Sequence, residues 1–268
     1  MGITAIFGAG VMGETLLSGL LRSGRPASNL VITERHVERG AALSAKYGVR
    51  VLSNTEAAAL ADTLVLVVKP QDMAALLDEV RDHVVAGDTV ISLAAGITTE
   101  FLESRLPDGA SVVRVMPNTA ALVDQGMAGI SPGRHCIDEH LDRAEALLSS
   151  CGKVVRLEEK HLDAVTAISG SGPAYIFYVV EAMIEAGVVL GLPRATATEL
   201  VVQTLYGAAT MLKDTGEHPT VLREQVSSPG GTTVAALRQL DDQKVRAAFI
   251  NAIEAAAARS KALASGQG

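Results

Sequence analysis

Tryptophan is absent from the 268-residue chain, and there are only four phenylalanines and four tyrosines. Stacking on bases or sugar rings is therefore a poor basis for its function. Positive charge is also in short supply. Lys+Arg number 23 against 30 Asp+Glu, and a net charge of −7 repels polyanions, which argues against a nucleic-acid groove. The two cysteines, Cys136 and Cys151, have neither CxxC spacing nor a nearby His/Cys ligand set. They read as reduced thiols of a cytoplasmic protein, with no disulfide and no metal site. The first residues lack the basic region and cleavage site of a signal peptide. The longest apolar run, 176–192, carries Glu181 and Glu185 one helical turn apart. That favours a core or interface helix over a membrane span. What is present is hydrophobic material, 48% of residues, ample for a folded core.

Up to about residue 155 short Val/Ile-rich runs alternate with helical stretches. Runs 3–7, 30–33, 64–68, 89–93 and 112–115 are expected to be buried parallel strands. Helices are expected over 12–23, 37–47, 55–60, 72–84 and 99–105, three of them followed by Gly24, Gly48 and Gly87. The alternation predicts an α/β domain, a doubly wound parallel sheet over 1–155. Beyond it the strand signal fades. Helical periodicity over 161–168, 174–190, 194–214, 232–240 and 245–264 predicts an all-helical domain over 156–268. Such a sheetless, Ala-rich unit has little core of its own and is expected to pack on a partner chain.

Gly8-Ala9-Gly10-Val11-Met12-Gly13 follows the first strand and opens the first helix, the setting a dinucleotide fingerprint requires. Gly8 permits the tight turn, Gly10 admits a pyrophosphate to the helix N-terminus, and Gly13 lets helix and strand approach. Glu34 lies 21 residues after Gly13, where an acid would accept from a ribose 2′-hydroxyl. Arg35 beside it could instead clasp a 2′-phosphate. Both NADPH and NADH therefore stay open on these residues. Lys69, in Val68-Lys69-Pro70, ends the third run and faces the crevice of an open sheet. Ala94-Ala95-Gly96 and Asn118 end the next two, with small residues suited to a flat nicotinamide and an amide able to orient its carboxamide.

Two segments stand out in the helical half, Ser169–Tyr175 (SGSGPAY) and Ser227–Thr233 (SSPGGTT). The second is a glycine-rich turn running into a helix near Thr232. Its free N–H groups, with the hydroxyls of Ser228, Thr232 and Thr233, suit capture of a carboxylate.

Taken in order, FGAGVMG, VVKPQ, SLAAGIT, RVMPNTAALV, SGSGPAY, TGEHP and SSPGGTTVAAL cover almost the whole chain, which closely resembles the pyrroline-5-carboxylate reductase family. The last motif is the most specific. The resemblance implies NAD(P)H-dependent reduction of L-1-pyrroline-5-carboxylate to L-proline, usually with NADPH. It also implies a Rossmann domain and a helical domain interleaved with that of a second subunit, in dimers that often associate into decamers. Residue by residue, Gly8 to Gly13 would hold the pyrophosphate. Asn54, Val68, Lys69, Pro70, Ala94, Ala95 and Gly96 match positions around the cofactor. Gly231, Thr232 and Thr233, with Ser228 and Gly230 in the same turn, match the substrate-carboxylate site, and the Thr233 hydroxyl would reach the ring nitrogen. The chain departs from the family's usual pattern at Ala120 and at Glu34-Arg35-His36.

A hydroxyacid dehydrogenase would share the two-domain plan, but Ile176 stands where that family carries its catalytic lysine. A dinucleotide sensor without activity would have no use for the SSPGGTT turn. His161 and His218 are expected to be a helix-face residue and a turn or capping residue.

Overall fold

Alternate residues of the first strand face opposite ways, and both faces find cover. Residues 2–264 are described by the structure, a computed structural model. Ile6 joins one core with Leu16, Leu17, Ile32, Leu43 and Leu147, while Ala5 and Phe7 join another with Ala57, Leu66, Met73, Leu77 and Leu102. A strand buried on both faces needs a continuous apolar run, and this is why the Val/Ile stretches were legible.

The strands among the described residues are β1 Thr4–Phe7, β2 Leu30–Thr33, β3 Arg50–Val51, β4 Thr63–Leu66, β5 Thr89–Ser92, β6 Ser111–Met116, β7 Gly126–Pro132 and β8 Gly152–Arg156. They form one sheet in the order β3-β2-β1-β4-β5-β6-β7-β8. The direction of winding reverses between β1 and β4, so the carboxyl end of β1 faces a crevice, the place where such sheets bind ligands. Helices α1 Val11–Arg22, α2 Val37–Tyr47, α3 Asn54–Leu60, α4 Met73–Val80, α5 Thr99–Glu103 and α6 Asp138–Leu148 cover the two faces.

The sequence led us to expect a parallel sheet; the sheet is mainly parallel, with one antiparallel pair. β7 runs antiparallel to β6, pairing Val113 with Pro132 and Met116 with Gly129, while β7 and β8 are parallel. Between β6 and β7 there is only a short 3₁₀ turn, Thr119–Val123, closed by Asp124 at φ 57°. That is too little chain for a crossover, so the strand turns back.

Contacts divide the chain into two compact units. One runs to Ser171 and takes in the chain again from Ala256; the other is Gly172–Ala255. The sequence-based division at 155/156 falls instead at the end of β8. The short helix α7, Leu162–Val165, stays with the sheet because Gly129 of β7 makes room for it. A Cβ on Gly129 would stand 3.0 Å from Val165 Cγ1 and 3.2 Å from Leu162 Cδ2. A wide π turn, Thr166–Gly170, then leads out of the unit.

The second unit holds α8 Gly172–Val189, α9 Arg194–Thr215, α10 Pro219–Gln225, α11 Thr232–Asp242 and the first part of α12 Val245–Ala264. Helices α8 and α9 form a hairpin in which Gly187 meets Ala197 so closely that a Cβ would stand 2.9 Å from the Ala197 methyl. Among the described residues of this unit Ala197 is the only buried hydrophobic. Phe177, Tyr178, Val189, Leu190 and Tyr206 are all more than half exposed. Among the described residues, the one helical run long and apolar enough to cross a membrane, 159–189, lies largely here.

Candidate active site

The fingerprint glycines each answer a steric demand. Gly8 sits at φ +93°, and a Cβ there would stand 3.1 Å from the Val67 carbonyl oxygen. A Cβ on Gly13 would overlap the Gly8 carbonyl oxygen. Gly10 has open space instead. It is the N-cap of α1 and offers no side-chain cap, so the first N–H groups of the helix face outward. Such a terminus is a ready anion site. Ala9 is fully buried, Met12 packs against the core and Val11 is exposed.

A groove of about 580 Å³ opens at this turn. Of the residues expected to bind the dinucleotide, Gly8, Gly10, Glu34, Arg35, Asn54, Val68 and Lys69 line it. Pro70 adjoins it, starting the 3₁₀ turn Pro70–Asp72 for which Lys69 is the N-cap. Asn54 opens α3 behind a capping box made by Ser53 and Glu56, and its amide donates to Glu79 Oε2 at 2.8 Å.

The groove also contains groups that sequence reasoning missed. Arg39 reaches back from α2 to donate to the Ala9 carbonyl oxygen at 2.8 Å and to Glu14 Oε2 at 3.0 Å. Glu14, in the first turn of α1, also accepts from Lys46 and Tyr47. Hydrogen bonding to the Lys46 ammonium, opposed by burial and aided by Tyr47 and Arg39, holds this carboxyl below its usual value. The acid in the first turn of α1 is thus matched by cations. Arg35 pairs with Asp72 at 3.1 Å, and Glu34 accepts from its own neighbour's N–H, His36 N, at 3.0 Å. A helix position five residues beyond Glu34 was the only hint of Arg39, and nothing local marked Asp72 as the partner of Arg35.

Ala94, Ala95, Gly96 and Asn118 do not line this groove; they lie at the carboxyl ends of β5 and β6, further along the sheet. Gly96 sits at φ +76° beside the backbone of Ala264. The Asn118 carboxamide is engaged by protein, accepting from Met127 N at 3.1 Å and donating to the Ser169 carbonyl oxygen at 3.2 Å. It braces the SGSG turn. The loop after β5 is anchored from another side. Glu159 accepts from Thr99 N at 2.8 Å, from the Thr99 hydroxyl and from buried Arg114 at 2.9 Å.

In the second unit the Ser228–Thr233 turn is built around Gly230 at φ +70°. Gly231 N donates to Ser228 O at 3.0 Å, and Gly231 is the N-cap of α11, again without a side-chain cap. A Cβ on Gly231 would crowd Ser228 Oγ at 2.6 Å. The hydroxyls of Ser228, Thr232 and Thr233 have no partner among the described residues, and the turn is exposed to half-exposed. Two glycines, three free hydroxyls and an uncapped helix end are the groups that the capture of a small anion calls for. His218 caps α10, its Nδ1 accepting from Thr220 N at 3.2 Å, and His161 lies in the 3₁₀ turn before α7.

Comparison with known proteins decides what this pairing of turns belongs to. The family model described as pyrroline-5-carboxylate reductase dimerisation matches residues 159–263. A curated relative, pyrroline-5-carboxylate reductase of Corynebacterium melassecola, is 47% identical over 97% of both chains. The chain belongs to the pyrroline-5-carboxylate reductase family. A second model, described as NADP oxidoreductase coenzyme F420-dependent, matches residues 3–96, the stretch that holds the fingerprint and the groove. Among solved structures, a pyrroline-5-carboxylate reductase from Coxiella burnetii is 35% identical, covers 98% of each chain and superposes with a TM-score of 0.94. The Plasmodium falciparum pyrroline carboxylate reductase, solved with NADP bound, is 30% identical over 98% of each chain, with a TM-score of 0.87. As a member of this family the chain is an oxidoreductase that oligomerises. The exposed apolar residues of α8 and α9, and the whole of the membrane-length run 159–189, fall inside the matched dimerisation segment.

Proposed function

We propose that this chain reduces L-1-pyrroline-5-carboxylate to L-proline with NADPH, NADH serving as the alternative donor, as the last step of proline biosynthesis. The observation that carries the substrate half is the Ser228–Thr233 turn, whose free hydroxyls and uncapped N–H groups match a carboxylate beside a ring nitrogen. The first turn of α1, equally uncapped and set over Gly10, supports the cofactor half.

When bound, the reduced dinucleotide supplies the hydride that adds to the imine carbon. The chain's own contribution is to hold the two reactants. Gly8 to Gly13 receive the pyrophosphate. Asn54, Val68, Lys69 and Pro70 flank the dinucleotide, while Glu34 and Arg35 meet its ribose end. Ala94, Ala95 and Gly96, with Asn118 bracing the loop beside them, stand at the nicotinamide end. Backbone N–H groups of Gly231, Thr232 and Thr233, with Ser228 and Gly230 shaping the turn, take the carboxylate. The Thr233 hydroxyl accepts from the protonated ring nitrogen, which keeps its proton as the C=N bond becomes C–N. A protonated imine is already electrophilic, so positioning supplies most of the rate enhancement.

The working form on this reading is a cytoplasmic homodimer through the helical domain, assembling further to a decamer, without nucleic-acid or membrane partners. Sedimentation of the purified chain measures that directly. The activity is tested by absorbance at the reduced-nicotinamide band, with the imine present and absent. Imine-dependent oxidation supports the reading, and dinucleotide binding without turnover removes it. Thr233→Val should lower kcat/KM by about 1–3 kcal/mol of transition-state binding, through loss of the partner to the ring nitrogen. An unchanged kcat/KM would take Thr233 out of the mechanism.

A further inference from the structure

The ribose end of the groove holds two opposite devices and a third group that connects with one of them. Glu34, at the end of β2, is the acceptor a 2′-hydroxyl would use. Its carboxylate is 8% exposed, turned onto His36 N at 3.0 Å and 3.8 Å from Arg39 Nε. A carboxylate has acceptor capacity to spare after one N–H, so a neutral hydroxyl can still be served. Arg35, the next residue, is the planar cation a 2′-phosphate would use. Its side chain is 76% exposed and ends on a single partner, Asp72 Oδ2 at 3.1 Å. Asp72 closes the short turn after Lys69, at the end of β4, and lines the same groove as Glu34 and Arg35. β2 and β4 flank β1, so the pair reaches across the end of the strand that carries the fingerprint.

We propose that Asp72 is a specificity-determining residue, which sets the preference between NADPH and NADH by competing with the 2′-phosphate for Arg35. The proposal rests on the reading of this groove as the dinucleotide site. A phosphate dianion arriving at Arg35 must share or displace the Asp72 carboxylate and also meets its negative charge. A 2′-hydroxyl has no such contest, since it turns to Glu34. Asp72 therefore costs NADPH more than NADH, and the chain keeps the phosphate-binding arginine while holding its advantage down.

The test measures the dissociation constants of NADPH and NADH on the full-length chain and reads their ratio. Asp72→Asn should shift the ratio toward NADPH about two- to fivefold, the range of one exposed ion pair. Asp72→Ser should move it the same way. Arg35→Gln should shift it toward NADH. In the Arg35→Gln background Asp72→Asn should shift the ratio less, because the competition for Arg35 has gone and only the repulsion between carboxylate and phosphate is left to relieve. A ratio unmoved by Asp72→Asn and Asp72→Ser overturns the proposal, and so does an equal shift with and without Arg35. If the unaltered chain binds neither dinucleotide, it is the reading of the groove that fails.

Discussion

The two units differ in where their apolar surface goes. In the first, Ile6, Phe7, Leu17, Leu30, Leu64, Leu66, Leu77 and Ile91 are buried on the two faces of one sheet. In the second, Ala197 alone is buried among the described hydrophobic residues, although α8 and α9 carry large apolar side chains such as Phe177, Val189, Leu190 and Tyr206. A helical hairpin that buries only Ala197 cannot offset the conformational entropy of ordering some eighty residues. The first unit is a domain in the ordinary sense. The second has no such core, and the family model that matches this segment is a dimerisation model.

The comparison breaks most visibly under dilution. Stability of the second unit should depend on protein concentration, whereas the first should melt at a temperature set by its own core. Phe177→Glu places a charge on the exposed apolar side of α8 and should disperse the oligomer and abolish turnover. An unpaired charge buried at an interface costs on the order of 3–5 kcal/mol. Sedimentation and calorimetry of the variant read both effects. An intact oligomer would show that this side of α8 is not what the partner covers.

The matching experiment in the first unit is Leu66→Ala. Leu66 is fully buried on β4, so its loss should cost about 2–5 kcal/mol. That loss should be the same at every protein concentration and should leave the oligomer assembled. A concentration-dependent loss would mean that the units do not stabilise separately.

The same contrast governs what the sequence revealed. Buried strands with Val/Ile runs, β1, β2, β5 and β6, were legible to within a residue or two, and α2 and α12 were located end to end. β7 was not, because its residues Gly126, Met127, Ala128 and Gly129 are small or flexible. They are small because Ala121, Val165, Leu157 and Leu162 press on them. β8 and α6 lie in the same stretch and went unseen with it. β3, at two residues, has no pattern to read, and α10 is too short for periodicity. In the helical half, absence of strands was readable but absence of a core was only inferred, since apolar periodicity does not say whose surface it meets. For the candidate site, glycine turns were legible because each answers a local demand. Pairings such as Arg35–Asp72 and Arg39–Ala9 were not, because they join segments far apart in sequence.

The smallest effect sharpens the comparison through pH. Glu159 anchors the loop after β5 by accepting from Thr99 and Arg114, entirely within the first unit. Burial pushes its carboxyl up, but the hydrogen bonds from Thr99 and Arg114 outweigh that and leave it below the ordinary value of 4.5. A carboxyl held low in the folded state binds its proton more tightly when unfolded. Its contribution is therefore complete above the ordinary value and is lost as pH falls through the lower folded value. Asp88 opposes this: burial raises its carboxyl, so acid favours its folded form and offsets part of the loss. Glu159→Gln isolates the first contribution. At neutral pH the variant should be less stable by about 1–3 kcal/mol, the worth of hydrogen bonds to a charged group. The gap should close in acid, from about pH 5 downward, as the native carboxyl takes up a proton and comes to resemble the amide. Urea unfolding of both proteins across that range measures the gap. If it keeps one size at every pH, Glu159 holds its loop by shape and not by charge.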